Sequence, residues 1–532
     1  MSMFAAPPRT SYDELPYPSF PYPLTHPDRL ATIATLLGLK PARAKRCWVL
    51  ELGCAGGGNL IPLALAFPES TFVGIDLSAE QLAEGQRTIA ALGLTNISLR
   101  HLSILDIGDR FGGFDFIICH GVYSWVPAAV QEKILRVYKQ CLAPSGVGFI
   151  SYNTFPGWHM RGMVRAMMGL HDRRFRDRDP LSRVGQARAL LSFLAKSAPA
   201  GDGPYNHLLK EQLGQLSACS DAYLFHEHLE ECNEPIYFVD FCDRLAAAGL
   251  RFLAEAEMGV MVPANSFPAE VQEELSRVAP NQIELEQYMD LLRNRSFRQT
   301  LVCHDHVAPC YDVAAEHVFG CHVTSHLTAK VASDPASPEA EEKFEGKNGL
   351  TLVTASALVK AAVRCLADAW PRALAFEDLL AAARARARPR SPASSAEDAL
   401  ELARALLKAF VTTGKPLVEL SICPPALAAQ PGERPLASPL ARLQARTSTT
   451  LTNLRHETVV VPEVDRFLLQ LMDGSRDRAA LVRGLVEQME KGDFKISADE
   501  VPVTESARVV ELLAQLVEEQ LPILAREALL IA

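Results

Sequence analysis

The strongest constraint on the fold is a short apolar run that ends in an acid and a glycine-rich turn. Residues 48–58 read WVLELGCAGGG, and the helix-like segment NLIPLALAF follows, so the order is strand, loop, helix. Glycines in such a loop let a ligand approach the backbone, and the next helix offers free N–H groups to an anion. This segment predicts a nucleotide-type binding site in an α/β domain.

The loop by itself fits two classes of cofactor. It matches the dinucleotide fingerprint G-x-A-x-x-G from Gly53 to Gly58, and a degenerate E-x-G-x-A-x-G of S-adenosylmethionine (SAM) sites from Glu51 to Gly57. The Glu51 carboxylate would repel a pyrophosphate but could hold the ammonium of SAM. Asp76, at the end of TFVGID, could accept hydrogen bonds from the ribose of either cofactor. SAM is favoured, with an NAD-type nucleotide as the alternative.

Three more strands are predicted by apolar runs between helical segments. ISLRHLSILDI is expected to end at Asp106 and Ile107, FDFIICHGVYSWV to contain a strand ending at His120, and GVGFISYN to form a fifth strand. The alternation predicts a doubly wound parallel sheet, which binds ligands at the carboxyl ends of its strands. Glu51, Asp76, Asp106 and His120 are all expected there.

Several longer motifs are more specific than the glycine loop. They are ELGCAGGGNLIPLA, HGVYSWVP, SYNTFPGWH, LFHEHLEECNEPIYFVDF and QYMDLLRNRSFRQTLVCH, and together with the segment SYDELPYPSFPYPLTHPDRLA they span roughly residues 11–304. In these motifs the chain resembles a bacterial family in which a class I methyltransferase carries a methyltransferase regulatory domain. Described members of that family include lysine methyltransferases of bacterial outer-membrane proteins. The substrate does not follow from such a resemblance, because one fold serves many acceptors.

The resemblance implies SAM as the cofactor and assigns residues to it. The implied contacts are Glu51, Gly53, Cys54 and Asn59 for the methionine end, Asp76 for the ribose, Asp106 and Ile107 for the adenine, and His120 beside the sulfonium. Gly57 and Leu77 complete the predicted cofactor-binding set. One departure is Ala55, which stands where many class I enzymes have a glycine.

Aromatic residues follow the fourth and fifth strands and could receive an alkylammonium through cation–π attraction. The candidate catalytic residues are Tyr123, Trp125, Tyr152 and His159. Tyr123 is the preferred polar contact to the nucleophile. The alternative for Trp125 and Trp158 is packing against the sheet edge, and for His120 and His159 it is a hydrogen-bonded structural role. No N-P-P-[YF] sequence follows the fourth strand, which argues against a nucleic-acid amino methyltransferase.

The segments EPIYFVDFCDRLAAAGLRFLAEAEM and FRQTLVCH predict the sixth and seventh strands of a class I sheet, so the catalytic unit is expected to close near residue 305. Helical and strand patterns after residue 350 predict winged-helix-like modules. The predicted units are an N-terminal cofactor-covering segment (1–44), a Rossmann-like SAM-binding core (45–156), a helical insertion acting as lid or dimerisation element (157–225), a regulatory region completing the sheet (226–305), a connector (306–350), a winged-helix-like domain (351–425) and a C-terminal helical or winged-helix-like domain (438–532).

Composition narrows the possible partners. A net charge of −10 argues against binding to nucleic acid. The sequence shows no signal peptide or spanning segment, so a cytoplasmic protein without membrane insertion is expected.

The cysteines and histidines predict neither disulfides nor a metal site. Twelve cysteines without a CxxC pair predict free thiols. The histidines and cysteines within 303–326 are irregularly spaced, which argues against a metal site. A homodimer is compatible with the insertion.

The sequence leaves three hypotheses for the function of the protein. The favoured hypothesis is a SAM-dependent protein methyltransferase that methylates lysine by in-line transfer to a deprotonated amine. The alternative enzyme acts on a small molecule or a peptide natural product. A non-catalytic SAM-binding regulatory or scaffold protein is the third hypothesis. A protein or peptide acceptor is expected under the first.

Overall fold

A computed structural model gives the architecture of most of the chain. It describes residues 10–109, 111–197, 203–330, 340–346, 349–387, 395–412, 416–495, 497–498, 501–502 and 506–531. Residues 1–9 and 331–339, which belong to the predicted cofactor-covering segment and connector, lie outside the described residues.

The centre of the protein is a mixed seven-stranded sheet. Its strands are Trp48–Leu52 (β1), Thr71–Asp76 (β2), Ile97–His101 (β3), Phe114–Cys119 (β4), Leu142–Asn153 (β5), Leu250–Glu255 (β6) and Phe297–His304 (β7). The order is β3-β2-β1-β4-β5-β7-β6. The pairs among β1–β5 are parallel, whereas β7 runs antiparallel to both β5 and β6. The class I methyltransferase fold, including its sixth and seventh strands, is confirmed.

Helices cover both faces of this sheet. They are Ser11–Glu14 (α1), Pro27–Leu36 (α2), Leu60–Ala66 (α3), Ala79–Leu92 (α4), Ala128–Cys141 (α5), Gly157–Asp172 (α6), Pro180–Ser197 (α7), Pro204–Ser217 (α8), Asp221–Leu224 (α9), Phe238–Ala247 (α10), Ala269–Val278 (α11) and Gln282–Arg293 (α12). Local chemistry fixes their ends: α4 starts at Ser78, whose hydroxyl accepts the Gln81 N–H, and stops at left-handed Gly93.

The third strand is shorter than the sequence suggests. β3 ends at His101, and a 3-10 turn occupies Ile104–Asp106. The hydroxyl of Ser103 accepts the N–H of Leu105 and starts this turn, so the apolar run leaves the sheet early. The prediction that Asp106 and Ile107 end the strand is therefore wrong.

A buried arginine joins the last two strands to their helices. Arg298 on β7 is fully buried, and its guanidinium donates to Glu255 on β6 (2.9 Å) and to Asp290 on α12 (2.7 and 2.9 Å). It also donates to Glu286 (3.1 Å) and lies 3.7 Å from the centre of the Phe238 ring on α10. These contacts connect four elements of the regulatory region.

The helical insertion after β5 has a small core of its own. Helices α6, α7, α8 and α9 meet in an apolar cluster with the π-helical segment Phe225–Leu229. Inside the insertion, a bidentate ion pair joins Arg183 to Asp172 (2.9 and 2.7 Å).

Residues 322–423 form a second α/β unit that packs on α2. Its strands and helices are His322–Thr324 (β8), Thr328–Ala329 (β9), Glu342–Glu345 (β10), Thr351–Thr354 (β11), Ala357–Ala369 (α13), Leu374–Ala375 (β12), Phe376–Ala387 (α14), Ser395–Phe410 (α15) and Glu419–Ser421 (β13). Because β8 pairs with both β12 and β13, the predicted connector 306–350 contributes a strand to this unit and is not merely a linker.

The last unit has a separate apolar core. It contains Pro439–Gln444 (α16), Thr450–Thr452 (β14), Thr458–Val460 (β15), Glu463–Leu471 (α17), Arg478–Glu490 (α18), Ser497–Ala498 (β16), Val501–Pro502 (β17) and Ser506–Arg526 (α19). Within the described ranges, no helix is both long enough and apolar enough to cross a membrane.

Replacing the buried arginine should destabilise the protein strongly. Arg298→Met leaves three buried carboxylates without their shared cation, so we expect a loss of about 3–5 kcal/mol in the apparent free energy of unfolding, measured by urea denaturation. The control is Arg277→Met, which removes an exposed ion pair with Glu274 and should change the apparent free energy of unfolding far less, because solvent screens an exposed pair. Equal effects of the two substitutions would contradict the role given to the Arg298 cluster.

Candidate functional site

The loop after β1 is held in a left-handed backbone conformation. The φ angles are +77° at Gly53, +48° at Ala55 and +74° at Gly57. A Cβ atom on Gly53 would lie 2.5 Å from Cγ2 of Val122, so a side chain is excluded there. At Ala55 this conformation costs about 1–2 kcal/mol, and the 2.8 Å hydrogen bond from its N–H to Asp76 Oδ2 opposes that cost.

Glu51 is a buried acid at the carboxyl end of β1. Its side chain is 3% exposed, and its Oε2 atom has no hydrogen-bond partner among the described residues. The pKa of Glu51 is raised to about 8. Burial is the main cause, the hydrogen bond from Asn59 opposes it, and the nearby Asp76 adds to it. A buried carboxylate oxygen without a partner suits a ligand ammonium group.

Asn59 holds Glu51 and is itself held from two other parts of the chain. Its side-chain amide donates to Glu51 Oε1 (2.8 Å) and to Thr25 Oγ1 (3.0 Å). Its carbonyl oxygen accepts from the N–H of Tyr22 (3.0 Å) and from Nε2 of His456 (2.7 Å). One amide therefore connects the acid, the N-terminal segment and the last unit of the chain.

The carboxylate of Asp76 lies at the next strand end. Besides the Ala55 N–H, it accepts the N–H of Ser78 (2.8 Å), and burial raises its pKa. The side chain of the neighbouring Leu77 is exposed. The Leu77 carbonyl oxygen lies at hydrogen-bond distance from Nε2 of His101 (2.9 Å). Cys54 is buried against Gly74 of β2, where a Cβ atom would come within 2.6 Å of its sulfur.

The two residues predicted to bind adenine differ in their surroundings. Asp106 is exposed beyond β3, whereas Ile107 is 1% exposed and packs in the core with Val73 and Ile75. The Ile107 carbonyl oxygen accepts a hydrogen bond from Lys133 Nζ (2.5 Å).

Residues 10–25, here called the strap, lie across the glycine loop. Ser19 Oγ accepts the N–H of Gly58 (2.8 Å), and a Cβ atom on Gly58 would meet the Ser19 carbonyl oxygen at 2.4 Å. The carbonyl oxygen of Tyr17 accepts from Gln81 Nε2 (2.8 Å). Tyr12 lies within electrostatic reach of Asp76, which adds to the increase in its pKa caused by burial.

His120 follows β4 inside an aromatic surround. Its ring centre is 4.1 Å from that of Tyr22, 5.8 Å from Phe149 and 6.3 Å from Phe297. Burial lowers the pKa of His120 to about 4, so the ring is neutral near pH 7. Its Nδ1 atom lies 2.9 Å from Ser151 Oγ, which also accepts the N–H of Gly121.

Two of the predicted catalytic tyrosines are buried. Tyr123 is 0% exposed and Tyr152 is 1% exposed. Both rings pack on Phe241 of α10, at 5.4 and 4.1 Å between centres, and the Tyr152 hydroxyl is 3.2 Å from Thr300 Oγ1. Both tyrosines thus contribute to the apolar core, and their contact with an acceptor stays a prediction.

The other two candidates remain accessible. Trp125 is partly exposed and has the Arg165 guanidinium 5.5 Å from its ring centre. His159 is exposed, stacks on Phe155 at 4.2 Å and lies 3.2 Å from the Tyr237 hydroxyl. Their contact with an acceptor stays a prediction.

A carboxylate that the sequence reasoning did not select lies in the π-helical segment. Glu227 is partly exposed, and its side chain forms neither a hydrogen bond nor an ion pair with any residue that the structure describes. Burial raises the pKa of Glu227 to about 7, opposed by Arg161, Arg165 and His226. The only sequence signal was its place within the motif LFHEHLEEC.

The strap connects this carboxylate to the nucleotide loop. The ring of Tyr12 stacks on that of His226 at 4.2 Å, and the pKa values of both Tyr12 and Tyr17 are raised by burial and also by Glu227. Asp76 acts on Tyr12 as well, so both carboxylates contribute to the raised pKa of this tyrosine.

The described residues contain no group of three or more histidine, cysteine, aspartate or glutamate side chains arranged to hold a metal ion. The site instead combines the buried Glu51 carboxylate, the half-buried Asp76 carboxylate, left-handed loop backbone and a neutral histidine. The unpartnered oxygen of Glu51 fits the ammonium of SAM, and Asp76 stands where a ribose binds in this fold.

Three family models match the chain. They are a methyltransferase domain over residues 50–147, a predicted methyltransferase regulatory domain over residues 220–304, and the PKMT C-terminal winged helix domain over residues 433–529.

Two curated relatives come from Rickettsia prowazekii. Protein RP789 is 34% identical over 503 residues, covering 92% of this chain and 88% of the relative. Protein RP028 is 41% identical over 236 residues, covering 44% of this chain and 94% of the relative.

The fold matches a solved structure along nearly its whole length. PKMT2 from Rickettsia typhi superposes with a TM-score of 0.86 at 28% identity, covering 97% of this chain and 100% of PKMT2, and its complex with AdoHcy matches equally. The chain therefore belongs to the family of SAM-dependent methyltransferases in which a methyltransferase domain is followed by a methyltransferase regulatory domain and a PKMT-type C-terminal winged helix.

Proposed function

We propose that this methyltransferase acts on the side-chain amine of lysine in a protein substrate. The observation that carries the proposal is the Glu227 carboxylate, which forms no side-chain hydrogen bond or ion pair among the described residues and acts electrostatically on Tyr12 and Tyr17 of the strap. A carboxylate beside aromatic rings is chemically complementary to an alkylammonium. The protein-lysine-methyltransferase name of the matching winged-helix model and of PKMT2 supports the same acceptor class.

When bound, SAM supplies a methyl group on a positively charged sulfonium. Glu51 would hold the ammonium of the cofactor, and Asp76 would accept from its ribose hydroxyls. His120, neutral near pH 7 because burial lowers its pKa, would border the sulfonium without adding a second positive charge. The strap would exclude water from this end of the sheet.

The acceptor needs an unprotonated amine, and a free lysine has a pKa of about 10.4. Desolvation beside aromatic side chains lowers a lysine pKa. The Glu227 carboxylate would first pair with the ammonium and then accept its proton. Arg161 and Arg165 oppose the effect of burial on Glu227, which keeps part of the Glu227 population ionised near neutral pH.

The proposed substrate class can be tested by methyl transfer from labelled SAM into a fractionated lysate. We expect label in a protein band, with mass spectrometry locating the added methyl groups on lysine. The control is Asp76→Ala, which removes the ribose acceptor and should abolish transfer. Label confined to small molecules, or to protein residues other than lysine, would contradict the lysine proposal.

Removing the charge of Glu227 should impair transfer without affecting the cofactor. Glu227→Gln is expected to lower kcat by about 100-fold or more, the usual contribution of a general base, while the Kd of SAM stays unchanged. Glu231→Gln is the matched control, because Glu231 lies four residues after Glu227 but is exposed and paired with Arg176. Wild-type kcat in Glu227→Gln would exclude this role.

Binding of SAM should release a proton through Glu51. Free Glu51, with a pKa of about 8, is mostly protonated at pH 7, whereas an adjacent ammonium favours the carboxylate. SAM should therefore bind more tightly as the pH rises from about 6 to 7.5, by up to about tenfold per pH unit. Calorimetry in buffers of different ionisation enthalpy measures the released proton. Glu51→Gln should remove the pH dependence, and proton uptake on binding would contradict the assignment.

A further inference from the structure

The hairpin between β14 and β15 carries a histidine in an uncommon conformation. His456 has a φ of +62°, a backbone conformation that residues other than glycine adopt only where their surroundings fix it. His456 is 3% exposed, so this is not a free surface turn. Such an outlier marks a position where structure or function requires the histidine.

The turn is fixed within the last unit by Asn453. The side-chain carbonyl of Asn453 accepts the N–H groups of Arg455 and Glu457, each at 2.9 Å. Its amide donates to the carbonyl oxygen of Glu527 (3.0 Å), and the N–H of Leu454 donates to Ala528 (2.9 Å). The position of His456 is therefore set by the C-terminal end of the chain.

The imidazole of His456 reaches out of its own unit to Asn59, at 2.7 Å from Nε2 to Oδ1. The direction of this hydrogen bond is determined, because the Asn59 amide already donates to Glu51 and its carbonyl oxygen must accept. His456 is thus the tautomer with a proton on Nε2. Its buried Nδ1 has no partner in the described part of the chain, which disfavours a second proton there.

A second contact supports the same alignment. Asp28 on α2 accepts the N–H groups of Ile422 (3.2 Å) and Cys423 (2.7 Å), and the rings of His26 and His456 are 5.5 Å apart. The C-terminal half is therefore docked on α2, the helix that follows the strap. The side chain of His456 adds a contact to Asn59, which follows the glycine loop.

We infer that His456, although it belongs to the C-terminal winged-helix unit, is a positioning residue of the cofactor site. It donates to Asn59, Asn59 fixes Glu51, and Glu51 faces the cofactor. The last unit thereby contributes to SAM affinity through a single hydrogen bond. This inference rests on the cofactor alone and is independent of the proposed lysine acceptor.

The test is calorimetric binding of S-adenosylhomocysteine to the full-length chain with four substitutions. His456→Ala removes the donor and should raise the Kd about tenfold. In His456→Gln the amide nitrogen can occupy the place of Nε2, so this variant should recover most of the affinity. The amide of His456→Asn tolerates the left-handed backbone but ends near the place of Nδ1, so it should bind as weakly as His456→Ala.

Arg455→Ala separates the hydrogen bond from general docking. Arg455 is on the same turn, pairs with Glu419 and lies over Trp370 at 4.7 Å, but it forms no hydrogen bond with Asn59 in the described part of the chain. Because Arg455→Ala leaves the hydrogen bond from His456 to Asn59 in place, it should raise the Kd much less than His456→Ala does. Equal weakening by Arg455→Ala and His456→Ala would overturn the inference, as would wild-type affinity in His456→Ala.

The pH dependence of binding gives a readout that a merely structural defect would not change. The Asn59 amide lowers the pKa of Glu51, so loss of its alignment should move the pH midpoint for binding upward in His456→Ala and His456→Asn. The midpoint in His456→Gln should return toward that of the wild type. An unchanged midpoint in all three variants would overturn the proposed path through Asn59 and Glu51.

Discussion

The hydrogen bond between Asn59 and Glu51 is the interaction on which the cofactor site depends. A carboxylate buried at a strand end is costly unless its oxygens find partners. One oxygen is satisfied by Asn59, and the other remains for a ligand. The remaining polar groups of Asn59 are then met by Thr25, Tyr22 and His456. Three distant parts of the sequence converge because one buried acid must be held in place.

A second electrostatic interaction, between the buried Arg298 and its acidic partners, holds the last two strands of the sheet. The antiparallel insertion of β7 between β5 and β6 brings Arg298 into an apolar interior, where only its three acidic partners make burial tolerable. The same Glu255 also accepts from Thr300, which lies beside the Tyr152 hydroxyl. The regulatory region is therefore continuous with the catalytic sheet in both backbone pairing and charge.

The sheet could be predicted from the sequence because its strands are short apolar runs at regular spacing, including those that became β6 and β7. The early end of β3 depends on one capping hydroxyl, that of Ser103. The surroundings of Tyr152 depend on the strand pleat: neighbours on a strand face opposite sides, so Ser151 meets His120 while Tyr152 packs on Phe241. No pattern in the sequence could connect Asn59 with a residue almost 400 positions away.

The His456 contact has a consequence for biosynthesis. The ribosome makes the chain from its amino end, so the sheet, the glycine loop and the strap can form while the hairpin of β14 and β15 is still unmade. Until that hairpin folds, the carbonyl group of Asn59 lacks one of its donors. A nascent or prematurely terminated chain can therefore carry every residue that faces the nucleotide and still hold the site imperfectly. The hydrogen bonds around Asn59 are therefore complete only when the last domain has folded.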